Sequence, residues 1–457
     1  DVFNGVVDGD SSTFQNGDVI DGGDGTDRFN LTVASGDTPA GGETNSVEQI
    51  FVRNVEEDST NTVSAASFSG GEELWNRNSL DSANVTFDSV DTNATLGIQN
   101  TGSNTTIDFA SSVLEGDDDT VNVALNGADG GNVTIDQSGA ETVSVASGGD
   151  EANEIGTLNG GDADTVTISG DQDLKIGDFD DDVATVDASA AGGAQTIDLS
   201  MAANANDVDV TGSAQDDEFT VDEVDEDDVI DGGDGTDTVV NDGGSFEGAS
   251  LANVEVLDNI HQSGPVTVDL ENADEIEDVS ISGTGISELQ LTNLNDDPTV
   301  EITADDTVSV TDGSAVTLED DSGSSDSLSF VLEGNGSFTQ NGSSVDIGGV
   351  EELAIEANQN GGAVFDGTMF NGDTTATTDV EEITVSGSDA VTFTAGFQLS
   401  SATDGAADEL EIDASGLSGA LKFTADSVQL VSTGGGELSL QAGGANDVVD
   451  FSNIAAD

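Results

Sequence analysis

A chain of 457 residues has room for two to four domains, and this one carries 95 Asp plus Glu against 5 Lys plus Arg, a formal net charge of −90. That sign excludes nucleic acid and anionic membrane surfaces as partners, and the absence of cysteine excludes disulfide staples and thiolate-bound zinc. A compact state with so much self-repulsion needs divalent cations or a saline medium.

Apolar residues still make up 34% of the chain, in short alternating runs, which argues against disorder. No 18-residue apolar run occurs, so no membrane insertion by a helix is expected. The chain begins at Asp1 without Met or an apolar leader, so a processed chain or an excised piece is expected.

Along the chain, Asp1-Val2-Phe3 opens a strand-like pattern, and a weak turn follows at 13–21 with Asp18 and Ile20. Residues 22–30, Gly22-Gly23-Asp24-Gly25-Thr26-Asp27-Arg28-Phe29-Asn30, then fit the nonapeptide G-G-x-G-x-D-x-U-x, with U a large apolar residue. Three glycines permit a tight turn whose carbonyls point inward, Asp27 adds a carboxylate, and Phe29 plugs a short strand into a core. Calcium takes six to eight such oxygens, so Asp18, Asp21, Gly23, Asp24, Gly25 and Asp27 are candidate calcium ligands. A phosphate-loop reading fails because no helix follows and the flanking charges are negative.

Period-2 alternation continues at Asp164–Ile168 and Val208–Val210, marking strands with one buried face. Asp217 with Phe219 suggests a further turn. The nonapeptide then returns as Gly232-Gly233-Asp234-Gly235-Thr236-Asp237-Thr238-Val239-Val240, behind a weak turn containing Asp228 and Ile230. Asp217, Asp228, Asp231, Gly233, Asp234, Gly235 and Asp237 form the second candidate calcium set, with Asp217 and Asp237 placed to face one another. Thr299–Thr303, the run at Thr384-Val385 and Leu438–Leu440 alternate in the same way, and no window makes a useful amphipathic helix.

The chain is internally duplicated. Asp18–Asp27 recurs identically as Asp228–Asp237, an offset of 210. Val47-Glu48-Gln49-Ile50 is echoed by Val254-Glu255-Val256-Leu257, Val166–Gly170 by Ile383–Gly387, and Val186-Asp187-Ala188-Ser189 by Ile412-Asp413-Ala414-Ser415. The offset drifts because loops vary more than strands. Asp217-Glu218-Phe219 and Asp447-Val448-Val449 both resemble the opening triplet, so residues 1–216 read as one β-rich repeat unit, 217–446 as a second, and 447–457 as the start of a third.

A smaller signature, an acidic residue leading into an apolar strand, occurs at Glu72-Glu73-Leu74, Glu141-Thr142-Val143, Glu275-Ile276, Glu351-Glu352-Leu353 and Glu381-Glu382-Ile383. It reads as a turn with a solvated carboxylate. His261, the single histidine, reads as an incidental loop residue, and Trp75 as core or interface packing. The five basic residues, Arg28, Arg53, Arg77, Lys175 and Lys422, read as scattered, and no carboxylate pair stands out, so no enzyme is expected.

The D-x-I-D-G-G-x-G-T-D run, the V-E-x-[IL] that follows and the D-A-S before a Gly-containing turn resemble the RTX nonapeptide family, and more narrowly the bacterial RTX-type surface-layer proteins and related surface adhesins. The resemblance implies secretion, calcium-dependent folding as a β-roll or β-solenoid, and assembly into a layer. The expected fold is therefore all-β, tandem units with β-roll turns and parallel solenoid character, with β-sandwich units as the alternative. The expected role is a non-enzymatic extracellular structural protein at the cell surface, self-associating and calcium-dependent. The alternative is a calcium-rigidified adhesin segment binding a host or neighbouring cell.

Overall fold

The computed structural model describes residues 1–450 except 35–41, 180–182, 201–207, 222–225, 244–245, 261–263, 274, 284, 296, 305–306, 311–313, 320–325, 342–345, 349, 367, 370–379, 395, 401–408, 425–428 and 432–436. Among the described residues the only helices are two three-residue 3₁₀ turns, Gly9–Ser11 and Ala65–Ser67. His261 lies outside the described residues.

By its contacts the chain divides into two compact units, Asp1–Thr220 with Val229–Asp237, and Val221–Asp228 with Thr238–Asp457. The sequence boundary at 216/217 follows the repeat, whereas this division follows packing. Of the expected third unit only residues 447–450 are described, and the strand Val448–Asp450 pairs with Leu421–Thr424 of the second unit.

In the first unit a main ladder begins with Val2–Val7, Arg28–Val33, Gln49–Asn54, Glu73–Arg77 and Thr95–Thr101, all parallel and each one coil further along. It continues through Thr120–Ile135, Thr142–Gly148, Thr165–Gly170 and Thr185–Ala191. Because side chains alternate along a strand and the register is parallel, like positions stack. Phe29, Ile50, Leu74, Leu96, Val123, Val145 and Ile168 form one inward column, each at most 1% exposed. Removing such side chains from water contributes about 1.5–3 kcal/mol each. A second ladder, from Ser59–Ser64 and Ala83–Val90 to Leu174–Ile176 and Gln195–Asp198, supplies the facing wall.

The second unit repeats the plan. Its main ladder runs from Thr238–Asn241 through Val256–Ile260, Asp278–Gly283 and Thr299–Ala304 to Ser327–Gly334, Glu352–Ala357, Glu382–Gly387 and Glu409–Leu417. A further ladder stacks Phe365 on Phe393 and Phe393 on Phe423 inside it, with centroids 5.1 and 6.3 Å apart. Among the described residues the strands of these ladders pair in parallel, so each unit is a β-solenoid and the antiparallel sandwich alternative is set aside.

The duplicated sequence markers occupy duplicated structure. Thr165–Gly170 and Glu382–Gly387 each end on a glycine with φ +106. Each pairs with the Asp-Ala-Ser strand of the next coil through an irregularity at the same step, Thr167/Ser169 in one unit and Thr384/Ser386 in the other. In both, the Asp holds its own bend, since Ser189 N donates to Asp187 Oδ1 and Ser415 N to Asp413 Oδ1.

Candidate metal centre

The nonapeptide turns are built by what the strands on either side require. At residues 22–27 and 232–237 the chain leaves a three-residue strand, Val19–Asp21 or Val229–Asp231, and re-enters one at Arg28 or Thr238. Two other six-residue turns have the same outline, 212–217 and 442–447, entering strands at Glu218 and Val448. All four end on an aspartate: Asp27, Asp217, Asp237 and Asp447. Glycine is needed where turns stack: a Cβ on Gly233 would lie 1.9 Å from the Ser213 carbonyl oxygen, and Gly233 and Gly235 have φ +105 and +146.

The terminal aspartate does the same thing each time. Its Oδ1 accepts from a main-chain nitrogen one coil upstream: the terminal ammonium of Asp1 for Asp27, and the N–H of Gln195 for Asp217 (2.6 Å), of Asp217 for Asp237 (2.7 Å) and of Leu421 for Asp447 (2.9 Å). Asp217 and Asp237, twenty residues apart, are thereby joined, and Asp27 has its upstream neighbour in Asp1. The aspartates at 27, 217 and 237 are buried, at 1, 2 and 0% exposure.

The other candidate ligands are placed differently. Asp18, Asp21, Asp24 and Asp234 are exposed, and Asp18 Oδ2 accepts the Gln15 N–H, capping its own turn. Asp231 is half-buried, and Asp228 is buried, with its carbonyl accepting the Ser250 N–H. Gly23 and Gly25 have φ +84 and +115, with open space where a Cβ would stand.

The turns differ in how they satisfy their carboxylates. Asp217 is enclosed by its own chain: Oδ1 also accepts the Ser213 hydroxyl at 3.0 Å, and Oδ2 accepts the Ser213 N–H at 2.5 Å. Burial raises its pKa above the ordinary value, while these donors pull it back. Asp27 Oδ2 is buried and accepts no hydrogen bond. It lies 2.7 Å from the position of a Cβ on Gly22, and the Ser46 carbonyl oxygen lies 2.0 Å from that same position. Both oxygens, and the Asp27 Cβ at 2.8 Å, crowd that position, so only glycine is tolerated there. The donor set leaves Asp27 Oδ2 available to a hard cation at 22–27, whereas at 212–217 protein donors fill the carboxylate. Among the described residues no three acidic, histidine or cysteine side chains gather into a metal-binding group, so a cation here would have to draw on backbone carbonyls.

The solvated-carboxylate reading holds at Glu72, Glu381 and Glu382, which are exposed, but at Glu141, Glu275, Glu351 and the Glu48 of the Val-Glu marker the carboxylate also makes a bond to the preceding coil. Glu48 Oε2 accepts the Asp27 N–H at 2.8 Å, Glu141 that of Asp119 at 2.6 Å, Glu275 that of Asn253 at 2.6 Å and Glu351 that of Asp326 at 2.8 Å. Each carboxylate clamps a corner of the coil before it, a charge-assisted bond of about 1.5–3 kcal/mol. Glu351 is 4% exposed, and its Oε1 and Asp326 Oδ2 accept nothing. Sequence reasoning missed this because the partner is a main-chain N–H some 21 to 25 residues upstream.

Arg28, Arg53 and Arg77 are not scattered but gathered on the outward side of the first unit's main ladder, on three successive coils. Their separations, 25 and 24 residues, are near one coil, but with coils of unequal length that spacing does not by itself reveal them as neighbours.

Compared with known proteins, the chain matches no family model and no curated protein sequence.

Proposed function

We propose that this chain is a non-enzymatic, extracellular structural protein of the cell surface. Its coils are clamped by calcium at the aspartate-ended turns, and its units associate with copies of themselves into a layer or fibre. The observation that carries the reading is the turn at 22–27, where Asp27 Oδ2 is buried without a hydrogen bond and packs, like the Ser46 carbonyl oxygen, against Gly22. A buried carboxylate oxygen without a donor costs free energy that a bound cation removes. Asp27 and the Ser46 carbonyl would hold the ion; Asp237 ends the other full nonapeptide and is the second candidate ligand. A few such ions leave most of the −90 charge in place, so a saline medium completes the reading. Two parallel solenoid units without a described helix longer than three residues suit a scaffold whose work is to present surface.

The test is to withdraw calcium with a chelator while following circular dichroism, urea unfolding and negative-stain images. Loss of stability and of ordered assemblies, both restored by calcium, is expected. Calcium titration by calorimetry should lose a site in Asp27→Asn. Unchanged stability and assembly in chelator, or unchanged calcium binding in the variant, would sink the proposal.

A further inference from the structure

One face of the first unit departs from the chemistry of the rest of the chain. On the outward side of the main ladder, Phe51 and Trp75 pair in register on adjacent coils, their rings 5.5 Å apart and within 6° of parallel. Trp75 lies flat over Gly97 of the next coil, where a Cβ would stand 2.1 Å from the indole. The Arg28 guanidinium sits 4.3 Å from the Phe51 centroid and that of Arg77 5.4 Å, flanking the ring. The platform is held from beneath: the indole N–H donates to Glu73 Oε2 at 2.8 Å, Gln49 Nε2 donates to the same carboxylate, and Arg28 donates to Gln49 Oε1.

The arginines themselves lack counter-ions. Among the described residues the ion pairs involve only the Asp1 nitrogen and Lys175. Arg53 Nε donates to the Asn78 carbonyl and Arg77 Nε has no hydrogen-bond partner. Arg53 and Arg77 follow Val52 and Asn76, a registered pair, so they stand one coil apart in neighbouring strands, where like charges repel. Their row-mates Thr32 and Gln99 are neutral. In a chain with 95 acidic residues, this row holds none of them.

The complementary surface is on the second unit. Glu352, Glu382 and Glu411 pair in register on three successive strands of its main ladder, all exposed. Both columns are set by the same interstrand distance, roughly 4.8 Å, so guanidinium and carboxylate columns match in pitch as well as in sign. We infer that the Arg53–Arg77 face, with its Phe51–Trp75 platform, docks the Glu352–Glu382–Glu411 column of a second copy of this chain. This rests on the self-association proposed above and names the surfaces that carry it. Because the two faces differ, the contact is heterologous, making a ring where its rotation closes and an open array where it does not.

The experiment compares the full chain with R53E/R77E and with E352R/E382R, in calcium, by sedimentation and electron microscopy, with circular dichroism as the check on folding. The parent should assemble, and each folded variant should need at least about tenfold more protein to do so, a shift of about 1.4 kcal/mol or more. An equimolar mixture of the two variants should assemble like the parent, since each supplies the face that the other's reversal demands. Assembly of R53E/R77E at the parent's concentration, or a mixture that stays dispersed, overturns the inference. So does loss of retention on an anionic polysaccharide column with assembly unchanged, which would assign the face to a glycan. A parent that never assembles removes the self-association reading before any variant is made, so the two failures are distinguishable.

Discussion

Both units stack aromatic rings in register, but on opposite sides of the wall. In the second unit Phe365, Phe393 and Phe423 form an inward column, at 4, 1 and 0% exposure. In the first, Phe51 and Trp75 form an outward pair, because they follow the inward Ile50 and Leu74 by one residue; Trp75 is half-exposed, and Phe51, covered by its neighbours, is 6% exposed. A parallel ladder brings identical positions together on every coil, and a single step along the strand decides whether the stack becomes core or surface. The same device therefore fills the core in one unit and, in the other, sets an aromatic pair between arginines on the outward side.

The sharpest way to break that comparison is to truncate one ring of each kind. Phe393→Ala should destabilise the second unit by about 3–5 kcal/mol, through lost transfer energy and a cavity that neighbouring coils cannot close. Phe51→Ala should cost less although Phe51 is only 6% exposed, because the Trp75, Arg28 and Arg77 side chains that cover it are themselves half-exposed and can settle into the gap. Urea unfolding of the two variants measures the difference; equal losses would mean that inside and outside are not distinct environments.

A smaller effect tests the likeness of the units. A Cβ at Gly170 would lie 2.0 Å from the Ser147 carbonyl oxygen, and one at Gly387 2.2 Å from that of Ala357, both at φ +106. Gly170→Ala and Gly387→Ala should each cost about 1–3 kcal/mol and by similar amounts, since strain and contact are alike. A neutral result at either site would show that the repeat is one of sequence only.

The smallest effect concerns charge. Asp108 has its pKa raised, by burial first and then by the charges of Asp136 and Asp88 on the coils to either side. Its protonated form is favoured by folding, so this contribution is fully present below the ordinary 3.8 and is lost as pH rises through the higher folded value. Asp108→Asn should raise the first unit's stability at neutral pH slightly and flatten its pH profile above 3.8. Asp413 in the second unit runs the other way: the Ser415 N–H and hydroxyl lower its pKa, so what it adds is present above 3.8 and fades as acid passes its folded value. A pH titration of unfolding that moved in the opposite direction for Asp108→Asn would refute the assignment.

How much of this was legible in the sequence follows from what each signal encodes. Alternation at Thr165–Ile168 says that one face is buried, and the structure agrees, but alternation carries no strand direction, so solenoid and sandwich could not be separated. The nonapeptides located two turns outright, whereas 442–447, with Ala442 and Ala445 where the motif has glycine, shares their outline without their residues. The corner carboxylates and the arginine face were hidden for one reason. Coil lengths vary, as from 18 residues between Thr238 and Val256 to 30 between Thr299 and Ser329, and no fixed period then shows which positions are neighbours.

The exposed column of Glu352, Glu382 and Glu411 has a consequence beyond docking. Its charges repeat at roughly 4.8 Å, closer than the about 7 Å at which two unit charges in water interact with the thermal energy RT. Three charges so close together attract cations from solution, a short counterpart of the atmosphere around DNA phosphates. Any partner that neutralises the column sets those cations free, so the entropy of released salt, not only attraction, would drive assembly. Its affinity would then fall linearly on a logarithmic salt axis.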